Sequence, residues 1–551
     1  MKRYFLFFIS FILCNHFFGQ NNNSQIYGDF NLSLQSYQKD DLIGAQKAEE
    51  IILNNAYLNI RYSRGNFQTG IRYESYLNAL SDFDPEFKGN GIPFRYATYS
   101  IHGLEVTAGN YYEQIGNGLI FRSYEEKGLG IDNAMDGIRI KYNGIKSVRI
   151  KAFIGKSRTH FAYAEGIFRG IDGEININDL LSIERKTKFI IGGGFVSRYQ
   201  ERSNVIFKLP QNVGAFSGRI NINHGRWQYY SEFAYKTNDP ANVLSKQKMN
   251  YASGSAFISN LNYSKRGFGI SASLHRIDNM TLKSDRDRDG KAYLINYIPT
   301  LSKPHTYSLL ALYPYAIQLD GEIGVQLDMF LKLKKGTLLG GKYGTKIALN
   351  ISRMNGLSGL GKSFLNDDVN YTPMTLCFAQ ELYFQDFNLE INKKINRKIN
   401  TTSVIANQTY NKDFLEGHTI GEDGVINSTI LVGDISYKIK KRHTVRIEMQ
   451  TLVSQQLKKA EKLAEGDWSM GLIEYTISPH WFFSVQDMYN WGNENPDKQL
   501  HYLNINFGYA KKGNRFEIGY GKKREGIFCV GGVCKLVPSS NGISFNVSSS
   551  F

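Results

Sequence analysis

Long apolar runs, prolines, cysteines and tryptophans are all scarce in this chain of 551 residues. Beyond the first residues, no stretch approaches the roughly 20 apolar residues of a membrane-spanning helix, which excludes a helical membrane protein. The 11 prolines stand against 53 glycines, 35 tyrosines and 35 phenylalanines, a balance that favours strands, tight turns and aromatic girdles over helices. Mean hydropathy is slightly negative, as in many barrels, because only alternate residues of a barrel strand face lipid.

Enzyme motifs are missing as well. The chain contains no H-E-x-x-H, no G-x-S-x-G and no P-loop, and its ten histidines show no spacing typical of a metal site. The sequence therefore predicts a protein that is not an enzyme and needs no cofactor. A hydrolase that assembles Ser, His or Asp from separate strands stays open as a distant alternative.

Alternation of apolar and polar residues dominates what is present. Phe268, Ile270 and Leu274 share one face of a strand, while the other face carries glycine, serine and His275. The last ten residues alternate in the same way and end on Phe551, which resembles the closing strand of a bacterial outer-membrane barrel. The pattern recurs along the chain with no helical period between strands, so we expect a single β domain.

The amino terminus predicts export. Lys2 and Arg3 precede an apolar run, and small or polar residues follow it around Gly19 and Gln20. We therefore expect a signal peptide over residues 1–20, a barrel with long extracellular loops over the remainder, and a location in the bacterial outer membrane. Export also argues against nucleic acid as a partner, although the formal net charge is +16.

Connector lengths predict the topology. Counted back from Phe551, short and mostly basic connectors such as residues 440–442 and 511–514 alternate with long ones such as residues 278–321. Short periplasmic turns and long extracellular loops are typical of outer-membrane barrels. The predicted fold is all-β, a large antiparallel transmembrane β-barrel of roughly 22–24 strands. Because strand patterns begin at once after the signal peptide, no separate plug domain is expected.

Charged residues on the polar faces of the strands are predicted to point into the lumen, because Arg or Lys facing lipid costs about 2 to 4 kcal/mol near the midplane. The predicted lumen-lining residues are Arg61, Arg72, Glu74, Arg139, Lys141, Arg149, Lys151, Arg219, Arg446 and Glu448. One interpretation is an electropositive conduit that favours anions. The other is that these cations pair with acidic residues on inward loops and only hold the lumen together.

A second charged set lies in the glycine-rich stretch around residues 111–137. The residues predicted to form a buried network, where a loop folds into the lumen, are Glu113, Arg122, Glu125, Glu126, Asp132 and Asp136. Buried ion pairs position structure more reliably than they stabilise it. Paired carboxylates can also serve acid–base catalysis, but the sequence gives no separation between them.

Cys529 and Cys534 flank a Gly-Gly pair that suits a two-residue hairpin turn, so the two cysteines should face each other. The Cα atoms of such a pair are about 4.5 Å apart, near the lower end of disulfide geometry. In an exported chain we expect a disulfide that closes a hairpin tip. Two unpaired thiols are the alternative.

Asp285, Asp287 and Asp289 have the spacing of a calcium loop, D-x-D-x-D-G. Asn296 replaces the bidentate glutamate of that loop, and the interleaved arginines would repel a cation. Two interpretations of this stretch therefore remain, a calcium-binding loop and a solvated loop without a metal ion.

Residues 112–137, residues 311–316 and the cysteine hairpin with Val537 and Pro538 resemble an uncharacterised outer-membrane barrel family of Bacteroidota-type bacteria. The resemblance spans the mature chain and implies compartment and architecture, without activity or functional residues.

Two functions are expected to compete. The first is a pore or transport conduit for polar solutes, with anions as one candidate class. The second is a non-transporting barrel that docks protein partners as a subunit of an outer-membrane assembly or secretion complex. In either case we expect contact with outer-membrane lipid and lipopolysaccharide, and with the barrel assembly machinery through the C-terminal strand.

Overall fold

The computed structural model describes residues 24–201, 209–239, 253–288, 290–357, 378–418, 421–457 and 465–551. Strands make up most of these residues. In chain order they are β1 (Ser24–Gln38), β2 (Leu53–Arg64), β3 (Phe67–Tyr76), β4 (Gly89–Ile101), β5 (Leu104–Tyr111), β6 (Glu125–Glu126), β7 (Ile131–Asp132), β8 (Met135–Ile145), β9 (Val148–Thr159), β10 (Ala162–Asn176), β11 (Thr187–Tyr199), β12 (Asn212–His224), β13 (Trp227–Lys236), β14 (Gly254–Lys265), β15 (Phe268–Asp278), β16 (Gly321–Leu333), β17 (Thr345–Leu357), β18 (Phe378–Lys394), β19 (Ile399–Asn411), β20 (Val425–Lys440), β21 (His443–Gln456), β22 (Trp468–Ile477), β23 (Trp481–Tyr489), β24 (Asn504–Lys511), β25 (Asn514–Lys523), β26 (Gly526–Val530), β27 (Val533–Val537) and β28 (Ser540–Ser550).

Twenty-four of these strands form one antiparallel sheet that closes into a barrel. Consecutive strands are neighbours, except that β5 pairs with β8 and β25 pairs with β28. Those two steps bypass the small sheets β6–β7 and β26–β27. The barrel closes where β1 pairs with β28, with Asp29 opposite Ser550. The predicted all-β barrel is confirmed, and its 24 strands lie within the expected range.

Helical structure is slight. The short helices are α1 (Ile177–Leu180), α2 (Lys412–Glu416) and the 3₁₀ turns Pro85–Phe87, Lys127–Leu129, Lys291–Tyr293 and Pro496–Lys498. Within the described ranges, no helix is both long and apolar enough to cross a membrane.

The two faces of each barrel strand follow the period of two in the sequence. In β3, Ile71 and Tyr73 are exposed on the outside, whereas Arg72 and Glu74 are buried inside. Ile138 and Ile140 repeat the outward pattern in β8. The outside of the barrel is therefore an apolar belt, and polar or charged residues face the lumen.

The two ends of the barrel differ. The end that holds Phe551, here called the C-terminal rim, carries short connectors such as residues 441–442 and 512–513. The other end, the opposite rim, carries most of the long connectors, as predicted from connector lengths, although residues 160–161 alone join β9 to β10 there. The predicted signal peptide over residues 1–20 lies outside the described residues.

Candidate functional site

Three long connectors at the opposite rim fold into the barrel. The first inward segment is residues 112–134, the second is residues 279–320 and the third is residues 524–539, with residue 289 of the second outside the described residues. They are joined to one another by backbone hydrogen bonds. The Arg122 N–H donates to the Ile295 carbonyl over 2.6 Å, and the Ile317 N–H donates to the Gly532 carbonyl over 3.1 Å. The segments therefore form one connected filling of the lumen.

The first inward segment is packed against the wall as part of an apolar core. Ile115, Leu119 and Phe121 are fully buried. The Phe121 ring lies 4.5 Å from the Phe153 ring and 5.7 Å from the Phe168 ring, both on wall strands. Burying each such side chain contributes about 1.5 to 3 kcal/mol, so this segment is held as firmly as an ordinary protein core.

A second apolar core fixes the second inward segment to the far wall. Leu309 and Tyr313 pack among Tyr410, Ile430 and Trp468 of strands β19, β20 and β22. The Tyr313 and Tyr410 rings lie 5.4 Å apart. Because this core lies on strands β17 to β22 and the first on strands between β5 and β15, the filling touches the wall on two sides.

A buried ionic cluster links the first inward segment to β3 and β9. Arg72 lies 2.9 Å from both the Glu125 and the Asp132 carboxylates of that segment. Arg158 contacts Asp132 and also Glu74, the wall residue beside Arg72. Burial raises the pKa of Glu125, and the nearby Arg72 lowers it less than burial raises it. Two guanidinium groups thus hold three carboxylates out of water.

Glu113 forms a second ionic cluster at the start of the first inward segment. Its carboxylate lies 3.0 Å from the Lys151 ammonium and 3.2 Å from the Lys141 ammonium. Arg139 approaches it to 3.8 Å. Burial raises the pKa of Glu113, but the attraction of Lys151 and Lys141 outweighs burial and leaves the pKa below its ordinary value. Glu113 is therefore an ionised anchor between the segment and the wall.

Other predicted lumen-lining residues pair along the wall. Arg219 donates two hydrogen bonds to Asp172, over 2.7 and 3.0 Å. Arg446 contacts Asp434 over 2.9 Å and also contacts Glu448. Most of the predicted cations thus have a carboxylate partner, and their role in lining a conduit stays a prediction.

Two of the predicted lumen-lining cations are less tightly paired with carboxylates. Arg61 lies 3.7 Å from Asp29 and is partly exposed. Arg149 is exposed near the C-terminal rim and has no ion-pair partner among the described residues.

The predicted inward-loop network is only partly brought together. Arg122 lies over the rings of Tyr124 and Tyr297, at 4.6 and 4.0 Å, with no carboxylate in contact among the described residues. Glu126 accepts the Gly128 N–H over 3.2 Å at the start of a 3₁₀ turn. Asp136 contacts Arg95 and Tyr163, which are exposed on the outside of the barrel.

Two buried contacts were not foreseen from the sequence. Strict alternation along β9 would point Arg158 outwards, but the register shifts nearby and the side chain turns inwards. His275 and Glu322 are fully buried 2.6 Å apart, and the Tyr315 hydroxyl donates to Glu322. The signal for this pair was Gly324 opposite His275, since a Cβ there would lie 2.7 Å from the imidazole.

The predicted disulfide is present between Cys529 and Cys534, whose Cα atoms are 4.0 Å apart. Gly531 and Gly532 form the turn with positive φ angles of 57° and 82°. The hairpin does not stand outside the barrel. Its tip lies against Tyr297 and Thr300 of the second inward segment.

The predicted calcium loop is engaged in other bonds. The Gln200 amide donates to Asp285 over 3.0 Å and to Asp287 over 3.3 Å. Asp289 lies outside the described residues, and within those residues no group of three potential metal ligands occurs. The calcium site stays a prediction.

Behind the filling, towards the C-terminal rim, the lumen wall is polar and partly exposed. We call this surface the polar vestibule, and its partly exposed residues include Asn31, Ser33, Asn260, Asn262, Ser271, Gln326, Asn392, Thr402, Ser436, Ser484, Asn506, Ser544 and Asn546. One cavity of about 360 Å³ lies between Arg61, Tyr96 and Arg139. Another, of about 400 Å³, includes Lys303 and Asp328. Uncharged hydrogen-bonding groups therefore line this part of the wall, beside the paired charges already described.

A closed antiparallel barrel of 24 strands, with an apolar outer belt and a polar interior, belongs to the class of bacterial outer-membrane β-barrels. Within that class, the chain belongs to the family of unknown function DUF6029, whose sequence profile matches residues 1–551. The predicted origin in Bacteroidota-type bacteria stays a prediction. Comparison with curated proteins gave no match.

Solved barrels share the outline of the fold. The P pilus usher PapC translocation pore is 10% identical, with a TM-score of 0.44 over 95% of this chain and 99% of that chain. The siderophore receptor PirA from Pseudomonas aeruginosa is 8% identical, with a TM-score of 0.42 over 97% and 81%. The copper transporter OprC is 9% identical, with a TM-score of 0.40 over 96% and 81%. Similarity this low carries no argument about function.

Proposed function

We propose that this protein is a transport conduit for polar solutes that its own three inward segments close at the opposite rim. The polar vestibule is the observation that supports this proposal. Its Asn, Ser, Thr and Gln side chains lie on β1 and on stretches of wall between β14 and β28, and they remain partly exposed. Such a lining suits water and polar solutes, as in other wide barrels.

Whether the lumen prefers anionic or cationic solutes depends on its own charged residues. Because Arg72, Arg139 and Arg219 are paired with carboxylates, they supply little net positive field to the lumen. Only Arg61 and Arg149 of the predicted cations could then make the conduit prefer anions. We therefore favour a conduit for polar solutes over one that selects anions. We expect weak selectivity between ions of either sign.

A fixed, non-transporting barrel that docks partner proteins is the second candidate. The two apolar cores support it, because fully buried side chains such as Phe121, Leu309 and Trp468 are typical of permanent structure. A gate must instead detach from the wall during transport, and that would expose these cores.

Conductance of the purified barrel in planar bilayers separates the two candidates. Glu113→Gln removes the charge that ties the first inward segment to Lys141 and Lys151. A conduit should show brief openings whose frequency rises in this variant. A fixed barrel should stay silent in both forms and only lose thermal stability.

Asp41→Asn is the matched control, because Asp41 forms an exposed pair with Lys39, 2.8 Å apart, in a connector outside the filling and the polar vestibule. The control should conduct like the natural chain. Silence of the natural chain and of Glu113→Gln, with no flux of sugars or amino acids into proteoliposomes, would contradict the conduit.

A further inference from the structure

The basic residues of this chain are concentrated at one end of the barrel. We define the basic rim as the Lys and Arg residues of the connectors at the C-terminal rim, namely Lys146, Arg185, Lys186, Arg226, Arg266, Lys334, Lys335, Lys342, Arg397, Lys398, Lys441, Arg442 and Lys512. The same connectors contain only two acidic residues, Asp179 and Glu184. At the opposite rim, by contrast, connectors such as residues 39–52 carry charges of both signs.

These cations are free to meet a ligand. Every residue of the basic rim is exposed. Lys146 pairs with Asp179 over 3.4 Å, and within the described part of the chain none of the others has a carboxylate within ion-pair distance. Charges that were needed only to hold neighbouring turns together would be matched by carboxylates, as they are inside the lumen.

Exposed aliphatic side chains accompany the cations in the longer connectors. Leu338 is 96% exposed and lies near Lys334 and Lys335. Leu181 is 59% exposed in the connector that ends in Arg185 and Lys186. Apolar side chains beside ammonium and guanidinium groups are typical of segments at the boundary between lipid headgroups and acyl chains.

Aromatic residues place the basic rim at headgroup depth. Trp227 follows Arg226 directly, and its ring lies 4.7 Å from that of Tyr263 on the outside of the barrel. Trp481 and Tyr509 form a similar pair, 4.4 Å apart. Aromatic girdles mark the membrane–water interface of such barrels, so the cations just beyond them lie among phosphate groups.

We propose that the basic rim binds the phosphate groups of anionic phospholipids in the membrane leaflet that surrounds it. The cations occur in every turn of this rim from β8 to β25 except the one between β22 and β23, so they are distributed around most of the circumference, as an annulus of lipid requires. Most of these turns contain only two to four residues and cannot reach far from the headgroup layer. An acidic protein partner would be expected to meet a patch on one side instead.

Quenching of tryptophan fluorescence by brominated phospholipids tests this proposal. The full-length protein, with Trp491→Phe, is reconstituted in vesicles that contain brominated phosphatidylglycerol or brominated phosphatidylcholine. Trp227 and Trp481 then report the lipid next to the basic rim, because Trp468 is buried. We expect phosphatidylglycerol to be preferred about fivefold, because its phosphate charge is not neutralised by choline and the attraction of one Lys or Arg to an anionic surface gives a ratio of that size; the preference should fall with salt.

The rim variant Arg226→Gln, Arg266→Gln, Lys441→Gln and Arg442→Gln, whose cations lie in turns close to Trp227 and Trp481, should lose most of that preference. The matched control neutralises Lys39, Lys47, Lys88 and Lys498, which lie in connectors of the opposite rim, and should keep it. A difference in gel mobility between unheated and heated protein verifies folding of each variant. Equal quenching by the two lipids in the natural chain, or an unchanged preference in the folded rim variant, would overturn the proposal. Neither outcome depends on whether the barrel conducts.

Discussion

At the level of single residues, the charges inside the barrel connect parts of the chain that are distant in sequence. Arg158 reaches Glu74, and Lys535 of the third inward segment lies 3.3 Å from Asp82. Attraction between buried charges offsets their desolvation only when each has its partner. Removing one member of a buried pair should therefore lower the free energy of unfolding by more than the intact pair contributes to it.

Arg158→Met is the sharpest test of this dependence. The substitution leaves Glu74 and Asp132 buried with one cation fewer, so we expect the free energy of unfolding to fall by about 3 to 5 kcal/mol. Arg515→Met removes an exposed cation and should cost less than about 1 kcal/mol. Urea unfolding of the two variants in lipid vesicles measures the difference, and equal losses would show that the buried cluster contributes nothing special.

Glu113 gives a pH dependence. Its pKa lies below the ordinary value of 4.5 in the folded barrel, so its stabilising effect is complete above pH 4.5 and disappears as the pH falls further. The natural chain should therefore unfold at a higher temperature than Glu113→Gln at pH 6, and the difference should shrink in stronger acid. A difference that stays constant from pH 6 to pH 3 would assign the effect to packing instead.

Alternation predicted which strand residues could face the lumen but not which partner each would meet. Arg72 and Arg139 point inwards by the period of two, as expected. Arg158 was missed because a register shift breaks that period. Asp136 was assigned to an inward loop, yet it is the second residue of β8 and faces outwards, since the strand begins earlier than its glycines suggested.

At the level of elements, different kinds of interaction hold the three inward segments in place. The first has both an apolar core and two ionic clusters, whereas the third is a hairpin closed by a disulfide. The tip of that hairpin reaches the second segment, where the Gly532 carbonyl accepts the Ile317 N–H. Opening the hairpin should therefore also weaken the packing of the second inward segment.

Replacing Cys529 and Cys534 by serine tests this link. Loss of so short a loop closure should cost about 2 kcal/mol in the unfolded-chain estimate. Because the tip is inside the barrel, we expect protease added at the opposite rim to cut the hairpin faster, while the barrel strands stay intact. An unchanged cleavage rate would show that packing alone holds the hairpin.

The elements were largely predictable from sequence, and their placement was not. Residues 441–442 and 512–513 fall where short basic connectors were expected, because strand ends are local signals. The Gly-Gly turn likewise gave the register of Cys529 with Cys534. That the long connectors turn into the lumen depends on contacts such as that of Tyr313 with Tyr410, which lies on a strand far along the chain.

At the level of the whole molecule, the barrel has two dissimilar halves. Towards the opposite rim it is filled by apolar cores and paired charges, and towards the C-terminal rim it is polar inside and basic at the edge. The formal net charge of +16 therefore does not describe the lumen, where carboxylates match most cations. It reflects largely the basic rim, which faces lipid headgroups in our proposal.

Solutes should enter the lumen only from the C-terminal rim while the inward segments are in place. The most direct measurement is labelling of Ser484→Cys in the polar vestibule with a membrane-impermeant maleimide, in oriented proteoliposomes of a Cys377→Ser chain. We expect rapid labelling from the side of the C-terminal rim and none from the other side, where Lys39→Cys should label instead. Equal labelling of residue 484 from both sides would contradict the account.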